Sequence, residues 1–322
     1  MLGGILGLLA AATFAFNNAS ARRGVLTGSV AQAMAITVPI GVPIFFIAAL
    51  LFGYLPTLLD FTPTAAVWLS LAGIVHFVWG RYCNYRATKA MGANLVGPVQ
   101  QTSLILTLVL AMWILGESLT PLRLIGISLV ILGPAMTLPG NGAPHASAPR
   151  FDVRYKEGYV WALLSATGYG VSPILVRLAL EHKGLGSGLI GGLVAYSAAT
   201  VVLGLILLAT GQMRHVIATG AEATKWFTLS GVLVCLSQMF LYMAYAVAPV
   251  TVVSPIQRLS NVFRIHAGWM LNPHHEVFGS RVILGTVVSL FGALALSVST
   301  DVVLSFVPVP DFVAAVAHWH WP

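Results

Sequence analysis

Polar side chains that could bind a solute lie inside long apolar runs of this sequence. Gln100 and Ser103 lie in one run, and Gln257, Asn261 and Arg264 lie in another. Unpaired polar groups are costly to bury in lipid, so these side chains should face one another or a wet cavity. Residues four and seven positions apart share one helix face, which groups the three residues of the second run.

Arg264 is the residue of this set with the most distinct chemistry. Its guanidinium could bind a carboxylate or phosphate through two parallel hydrogen bonds. We expect it to be the one basic side chain deep within an apolar run. The alternative is that it bonds to a backbone carbonyl or extends towards the membrane surface.

The predicted substrate-binding residues share a polar or aromatic side chain within an apolar run. They are Asn17, His76, Trp79, Gln100, Ser103, Tyr169, Gln238, Tyr242, Gln257, Asn261 and Arg264. Alternatively, His76 is a buried hydrogen-bonded histidine, and the aromatic residues pack rather than bind. Pro98 and Pro255 each free a backbone carbonyl and are predicted hinges.

Several kinds of chemistry are not expected. None of the nine acidic residues lies near the middle of an apolar run, which argues against a carboxylate proton relay. We therefore predict facilitated or exchange transport, or a titrating histidine such as His76 or His266. Gly186, Gly188 and Gly191 match a dinucleotide pattern but open an apolar run, so we interpret them as helix-packing glycines. No P-loop, metal motif or cofactor site is predicted, and no enzymatic activity.

The composition is that of a membrane protein. Of the 322 residues, 58% are hydrophobic and 8% are charged, against about 25% charged in soluble domains. The formal net charge is +7, but the basic residues do not cluster, so nucleic acid is not an expected partner. Cys83 and Cys235 lie in apolar runs and are predicted packing residues.

The apolar runs predict an all-α protein with about ten transmembrane helices in the cell inner membrane. The runs cover approximately 2–20, 28–52, 65–85, 94–115, 121–139, 158–180, 187–210, 225–247, 250–271 and 281–299. Residues 140–156 form a predicted linker between a first unit, 1–139, and a second, 157–300. Residues 301–322 form a C-terminal tail.

The two units resemble each other in sequence. Tyr85, Pro98, Gln100 and Ser103 precede Tyr242, Pro255, Gln257 and Ser260 by 157 residues, and Glu117, Gly126 and Gly133 precede Glu276, Gly285 and Gly292 by 159 residues. An odd number of spans in each unit, five, would insert the second unit upside down. Such inverted repeats are common in secondary transporters, with a binding site near the midplane.

Two segments resemble the EamA-type unit of the drug/metabolite transporter superfamily. One runs from Tyr85 to Gln100, and the other runs from Leu115 to Pro121 and is followed by Gly126 and Gly133. The resemblance implies ten helices, a central cavity and transport of small organic solutes. It weakens in the second unit, where Asn272 to His275 interrupt the motif before its glutamate.

The sequence therefore predicts a secondary transporter, independent of ATP, for a small metabolite such as an amino acid or organic anion. It would work by alternating access, with efflux favoured over uptake by the resemblance. The expected partners are a small-molecule solute and the lipid bilayer, and a homodimer is left open. The alternatives are a membrane-embedded enzyme acting on a lipid and a non-transporting scaffold. Loops 1, 3, 5, 7 and 9 hold eleven Lys and Arg residues, against four on the other side. The positive-inside rule therefore places both termini outside, whereas ten-helix relatives are usually drawn with both termini in the cytoplasm, and the side is left open.

Overall fold

The computed structural model of the protein describes residues 2–115, 121–136, 152–180, 184–247, 253, 256–257, 259–297, 301, 304–305, 310 and 319. The described part of the chain is helical and contains no strand. The predicted all-α class is confirmed.

The described residues of the first unit form eight α-helices. They are α1 (Leu2–Thr27), α2 (Val30–Thr37), α3 (Gly41–Leu51), α4 (Pro63–Gly73), α5 (Arg81–Met91), α6 (Ala93–Gln100), α7 (Ser103–Leu115) and α8 (Pro121–Met136). A 3₁₀ helix covers Leu55–Asp60, and a π-helical segment, Ile74–Gly80, joins α4 to α5 without interruption.

The second unit holds six described α-helices. They are α9 (Tyr155–Leu180), α10 (Gly184–Ala209), α11 (Met213–Ile217), α12 (Ala221–Val247), α13 (Ser260–Leu271) and α14 (Ser280–Ser297).

Six helical stretches in the described residues are long and apolar enough to cross a membrane. They are Leu2–Thr27, Val30–Leu51, Pro63–Met91, Tyr155–Leu180, Gly184–Ala209 and Ala221–Val247. Shorter apolar helices lie at Leu124–Gly133 and Ser280–Gly292. The multi-pass membrane character predicted from composition is supported by these lengths.

Local sequence explains where several helices begin. Ser29 and Gln32 form a reciprocal capping box at the start of α2. Thr62 caps α4 through the Ala65 N–H, and Pro63 occupies the first helical position. The described part of α8 begins at Pro121, and Glu117 lies outside the described residues.

The helices of the two units pack against each other in matching pairs. Helix α1 packs along α12, and α9 packs along the Pro63–Met91 stretch. Glycines permit the closest approaches: a Cβ on Gly73 would lie against the Ala195 carbonyl, and one on Gly188 would lie 2.7 Å from the Tyr242 carbonyl oxygen. The glycines of the dinucleotide-like pattern are therefore packing residues, as predicted. Cys83 and Cys235 are both buried and free, which agrees with their predicted packing role.

Two buried arginines correct the expectation that Arg264 is alone. Arg22 in α1 and Arg81 in α5 are also buried. Arg81 donates to the Thr37 carbonyl and to the Tyr196 hydroxyl, both at 2.8 Å. Arg81 lies within the predicted run 65–85, where the π-helical segment Ile74–Gly80 continues directly into α5.

Candidate functional site

The π-helical segment Ile74–Gly80 carries two of the predicted site residues, His76 and Trp79. Such segments widen one helical turn and are frequent at functional sites. Here the widened turn meets α9 at a glycine contact, because a Cβ on Gly168 would lie 2.8 Å from the Val75 carbonyl oxygen. The segment thereby brings His76 against the middle of α9.

A histidine cluster, His76, Tyr169, Ser172 and Gln238, joins the two units. His76 Nδ1 lies 2.6 Å from Ser172 Oγ, and its Nε2 lies 3.4 Å from Gln238 Nε2. The Tyr169 ring packs on the imidazole with 4.5 Å between centroids. A neutral ring with its proton on Nδ1 satisfies both bonds, since Nδ1 then donates to Ser172 and Nε2 accepts from the amide. Gln238 Oε1 is buried without a hydrogen-bond partner.

Helix α6 supplies the second group of polar residues. Pro98 lies inside α6 and is buried, and α6 ends two residues later. The turn into α7 uses short-range bonds, from the Gln101 N–H to the Pro98 carbonyl and from the Thr102 N–H to the Val99 carbonyl. The break places the Gln100 side chain inside the bundle. The hinge role of Pro98 stays a prediction, and Pro255 lies outside the described residues.

An arginine cluster, Asn84, Gln100, Ser165, Asn261 and Arg264, forms around that side chain. Gln100 Nε2 donates to Asn84 Oδ1 at 2.8 Å and to Ser165 Oγ at 3.3 Å. Its Oε1 accepts from Arg264 Nη1 and Nη2, both at 3.5 Å. The amide therefore links three helices, α5, α9 and α13.

Arg264 is 2% exposed and its remaining contacts are weak. Nη1 donates to the Ala93 carbonyl at 3.4 Å, and the guanidinium lies 5.9 Å from the Phe14 ring centre. Nε is buried without a partner. Among the residues that the structure describes, no carboxylate lies within ion-pair distance of Arg264, although Glu276 interacts with it electrostatically. The site thus holds a cation whose hydrogen bonds are long or unmade.

Space beside Arg264 is kept by Gly97. A Cβ on Gly97 would lie 2.9 Å from Arg264 Nη1 and 3.1 Å from Asn261 Oδ1. A larger residue would displace both side chains.

Tyr169 connects the two clusters. It interacts electrostatically with Arg264, and its hydroxyl lies near Ser165. His76 and Tyr169 lie near the middle of the helical stretches Pro63–Met91 and Tyr155–Leu180. The two clusters form a polar region within an apolar bundle, assembled from both units.

The other predicted site residues lie elsewhere. Asn17 accepts from Ser230 Oγ at 2.7 Å in the α1–α12 contact. Tyr242, one turn beyond Gln238, packs among apolar side chains. Ser103 is buried, with its carbonyl close to Gly170.

Two predicted residues are less enclosed. Trp79 is 47% exposed and donates to the Leu164 carbonyl at 3.1 Å. Gln257 is helical and partly buried. Their assignment to the site stays a prediction.

Ser165 and Glu276 were not predicted for the site. Ser165 is a small residue among many in apolar helices, so nothing in its local sequence distinguishes it. Glu276 had one available signal, its match to Glu117 in the repeat. Its partners in the first unit depend on the tertiary fold and could not be derived from spacing.

Comparison with known proteins supports a transporter unit. The model of the EamA-like transporter family matches residues 1–138, so the family resemblance is confirmed over that segment. A solved structure, titled only as the crystal structure of a protein, is similar with a TM-score of 0.62 and 14% identity, and the match covers 92% of this chain and 98% of that one. At this identity the likeness shows a shared fold alone. Comparison with curated proteins gives no match.

Proposed function

Because residues 1–138 match the model of the EamA-like transporter family, we propose that the whole chain is a secondary membrane transporter for a small metabolite. It works without ATP, by exposing one central site alternately to the two sides of the membrane. The observation that carries the proposal is the polar region in which Gln100 of the first unit bonds to Arg264 and Ser165 of the second. Burying such polar groups inside an apolar helix bundle costs free energy unless they bind a solute or pair with one another.

Ten spans in two inverted repeats form the scaffold in this proposal. Support comes from the contact between α8 and α14. A Cβ on Gly133 would lie 2.6 Å from the Gly285 carbonyl oxygen, and one on Gly292 would lie 2.8 Å from the Gly126 carbonyl oxygen. Gly285 and Gly292 are the repeat equivalents of Gly126 and Gly133, so the contacts are reciprocal, as a two-fold relation requires.

The proposed solute carries a carboxylate or similar anionic group, as an amino acid or organic anion does. Arg264 Nε has no partner among the residues that the structure describes, and the two Nη atoms have bonds of 3.4 to 3.5 Å. An incoming carboxylate could replace these weak bonds with two short, charge-assisted ones. Efflux is the proposed direction, on the family resemblance.

Flux through proteoliposomes tests the proposal. Purified protein is reconstituted and assayed with a panel of labelled amino acids, organic anions and neutral analogues. We expect Arg264→Ala to reduce anion flux at least tenfold, and Arg264→Lys to retain part of it because the charge remains. The matched control is Arg281→Ala, which removes an exposed cation from α14.

The outcomes separate the candidate functions. Anion flux that is equal in the wild type and Arg264→Ala would overturn the role of Arg264. The absence of flux for every panel member, with folded protein, would favour a scaffold. Chemical conversion of added lipid would favour an enzyme.

A further inference from the structure

A loop of the second unit closes one end of the bundle through a buried carboxylate. Glu276 lies between α13 and α14 and is 3% exposed. Its Oε1 accepts from the Ala93 N–H at 2.8 Å, and its Oε2 accepts from the Asn94 N–H at 2.9 Å. Glu276 therefore caps α6 of the first unit, where the backbone N–H groups and helix dipole favour negative charge.

The backbone before α6 is shaped to receive this carboxylate. Gly92 has φ +85°, a conformation that residues with a side chain rarely adopt. A Cβ on Gly92 would lie 2.7 Å from Glu276 Oε2. Glycine is thus required both by the turn and by the close approach of the carboxylate.

Arg22 fastens the same loop to the end of α1. Its Nε donates to the His275 carbonyl at 2.9 Å, and its Nη1 donates to the Thr88 carbonyl at 2.8 Å. It also interacts electrostatically with Glu276. Next to it, Asn272 Nδ2 donates to the Ala19 carbonyl at 2.7 Å. The loop is therefore attached to α1, to the end of α5 and to the start of α6.

Charge around the loop is mostly positive. Partial burial lowers the pKa of His275, and the nearby Arg23, Arg22 and His274 lower it further. Burial raises the pKa of the Glu276 carboxyl, and Arg22, the two N–H donors and Arg264 oppose that rise. Glu276 is the acidic group on which these cations converge.

The loop and the arginine cluster share one residue of α6. Ala93 donates its N–H to Glu276 and accepts at its carbonyl from Arg264 Nη1, 3.4 Å away. Arg264 and Glu276 also attract each other. An anion bound at Arg264 would draw the guanidinium from Ala93 and neutralise part of the charge that holds Glu276.

We propose that Glu276, Arg22 and the Gly92–Asn94 turn form a latch that shuts this end of the central site and is released when Arg264 is occupied. The inference rests on the proposed function, since release of the latch is the opening step of alternating access. A purely structural cap would contribute to stability and leave access unchanged.

Thiol labelling measures access directly. Cys83 and Cys235 are replaced by alanine, and Ser165→Cys then places a single thiol in the arginine cluster. Ser165 lies ten residues from the start of α9, about 15 Å along the helix from the latch end. A membrane-impermeant maleimide is applied in turn to each face of the membrane, and the labelling rate is recorded without any solute.

Glu276→Gln keeps an oxygen acceptor but removes the charge. We expect labelling from the latch face to become about tenfold faster, the scale expected when a charge-assisted hydrogen-bonded contact is lost. Glu157→Gln is the matched control. Glu157 pairs with Arg86 and Arg154 at the same end of the bundle but is partly exposed, so its loss should leave labelling unchanged.

Coupling is tested by a double-mutant cycle. Arg264→Ala should also accelerate labelling, and its effect should be smaller in the Glu276→Gln background than in the parent. Arg22→Lys is a second way to weaken the latch if Glu276→Gln does not fold, and it should raise labelling by a smaller factor.

The results distinguish the latch from the transporter. Unchanged labelling in folded Glu276→Gln and Arg22→Lys protein would overturn the latch, and additive effects in the cycle would overturn its coupling to Arg264. Accelerated labelling without flux of any panel solute would retain a gated end and overturn the transport function. Flux of a panel solute together with labelling that does not change in the variants would retain the transport function and overturn the latch.

Discussion

Alanine at Gly133 or Gly292 tests the two-fold relation between the units. An ordinary van der Waals contact is 3.4 Å or longer, whereas the added Cβ would lie 2.6 Å from the Gly285 oxygen in one variant and 2.8 Å from the Gly126 oxygen in the other. Ser289 Oγ would lie closer still to the Cβ on Gly133 and must rotate away, and Val130 N would lie 2.7 Å from the Cβ on Gly292. Relief therefore requires α8 and α14 to separate by about 0.8 Å and about 0.7 Å respectively.

The cost of this separation follows from packing. Overpacking typically costs ~1–3 kcal/mol, while replacing glycine by alanine within a helix returns up to ~1 kcal/mol. Gly204→Ala in α10 isolates the second effect, because nothing lies within 4 Å of its added Cβ. Relative to Gly204→Ala, we expect each of the other two variants to lower the free energy of unfolding by ~1–3 kcal/mol.

The two-fold relation also predicts the stability of the double variant. One outward shift of α14 relieves both clashes, so Gly133→Ala with Gly292→Ala should cost clearly less than the sum of the single effects. The stability of the two single variants, the double variant and Gly204→Ala is measured by thermal unfolding in detergent. A thiol-reactive dye reports the exposure of Cys83 and Cys235. Single effects equal to that of Gly204→Ala, or an additive double variant, would refute the reciprocal contact.

Three further predictions concern single side chains. If a histidine couples transport to protons, His76→Gln should abolish flux driven by a pH gradient, and His266→Gln, which alters an exposed ring, should not; retained flux in the first variant contradicts this. Asn17→Leu should lower the free energy of unfolding by ~1–3 kcal/mol because it leaves the buried Ser230 hydroxyl unpaired, and adding Ser230→Ala should restore part of it. The pKa of His275 is lowered in the fold, so the free energy of unfolding should fall as the pH drops below the ordinary histidine pKa of about 6.5. His275→Gln should therefore show a smaller drop in melting temperature than the wild type between about pH 7.5 and about pH 5.5. Parallel profiles of the two proteins would refute this.

Apolar length was the part of the fold that sequence predicted best. Lipid requires long helices with internally paired backbones, so a run such as 225–247 leads directly to α12. The repeat matched Gly126 with Gly285 and Gly133 with Gly292, and these residues meet across the α8–α14 contact. Glycines at helix contacts can be recognised in the sequence pattern, because only a residue without a side chain permits two helix backbones to approach closely.

Interruptions within helices were not predictable in the same way. Nothing in the local pattern distinguishes Ile74–Gly80 from an ordinary α-helical turn, and its π form depends on packing against α9. The partners of Glu276 lie 182 and 183 residues away in the chain. Such contacts follow from how the units dock, which a single sequence does not encode in its spacing.

The three buried arginines among the described residues differ in how fully their hydrogen bonds are made, and this difference favours Arg264 as the ligand-binding cation. Arg81 has two bonds of 2.8 Å and lies 4.9 Å from the Phe77 ring centre. Arg22 holds carbonyls at 2.8 and 2.9 Å and has Glu276 nearby. Both would lose strong bonds by turning towards a solute. Arg264 would exchange bonds of 3.4 to 3.5 Å for short ones to an anion, so its gain on binding is the largest of the three.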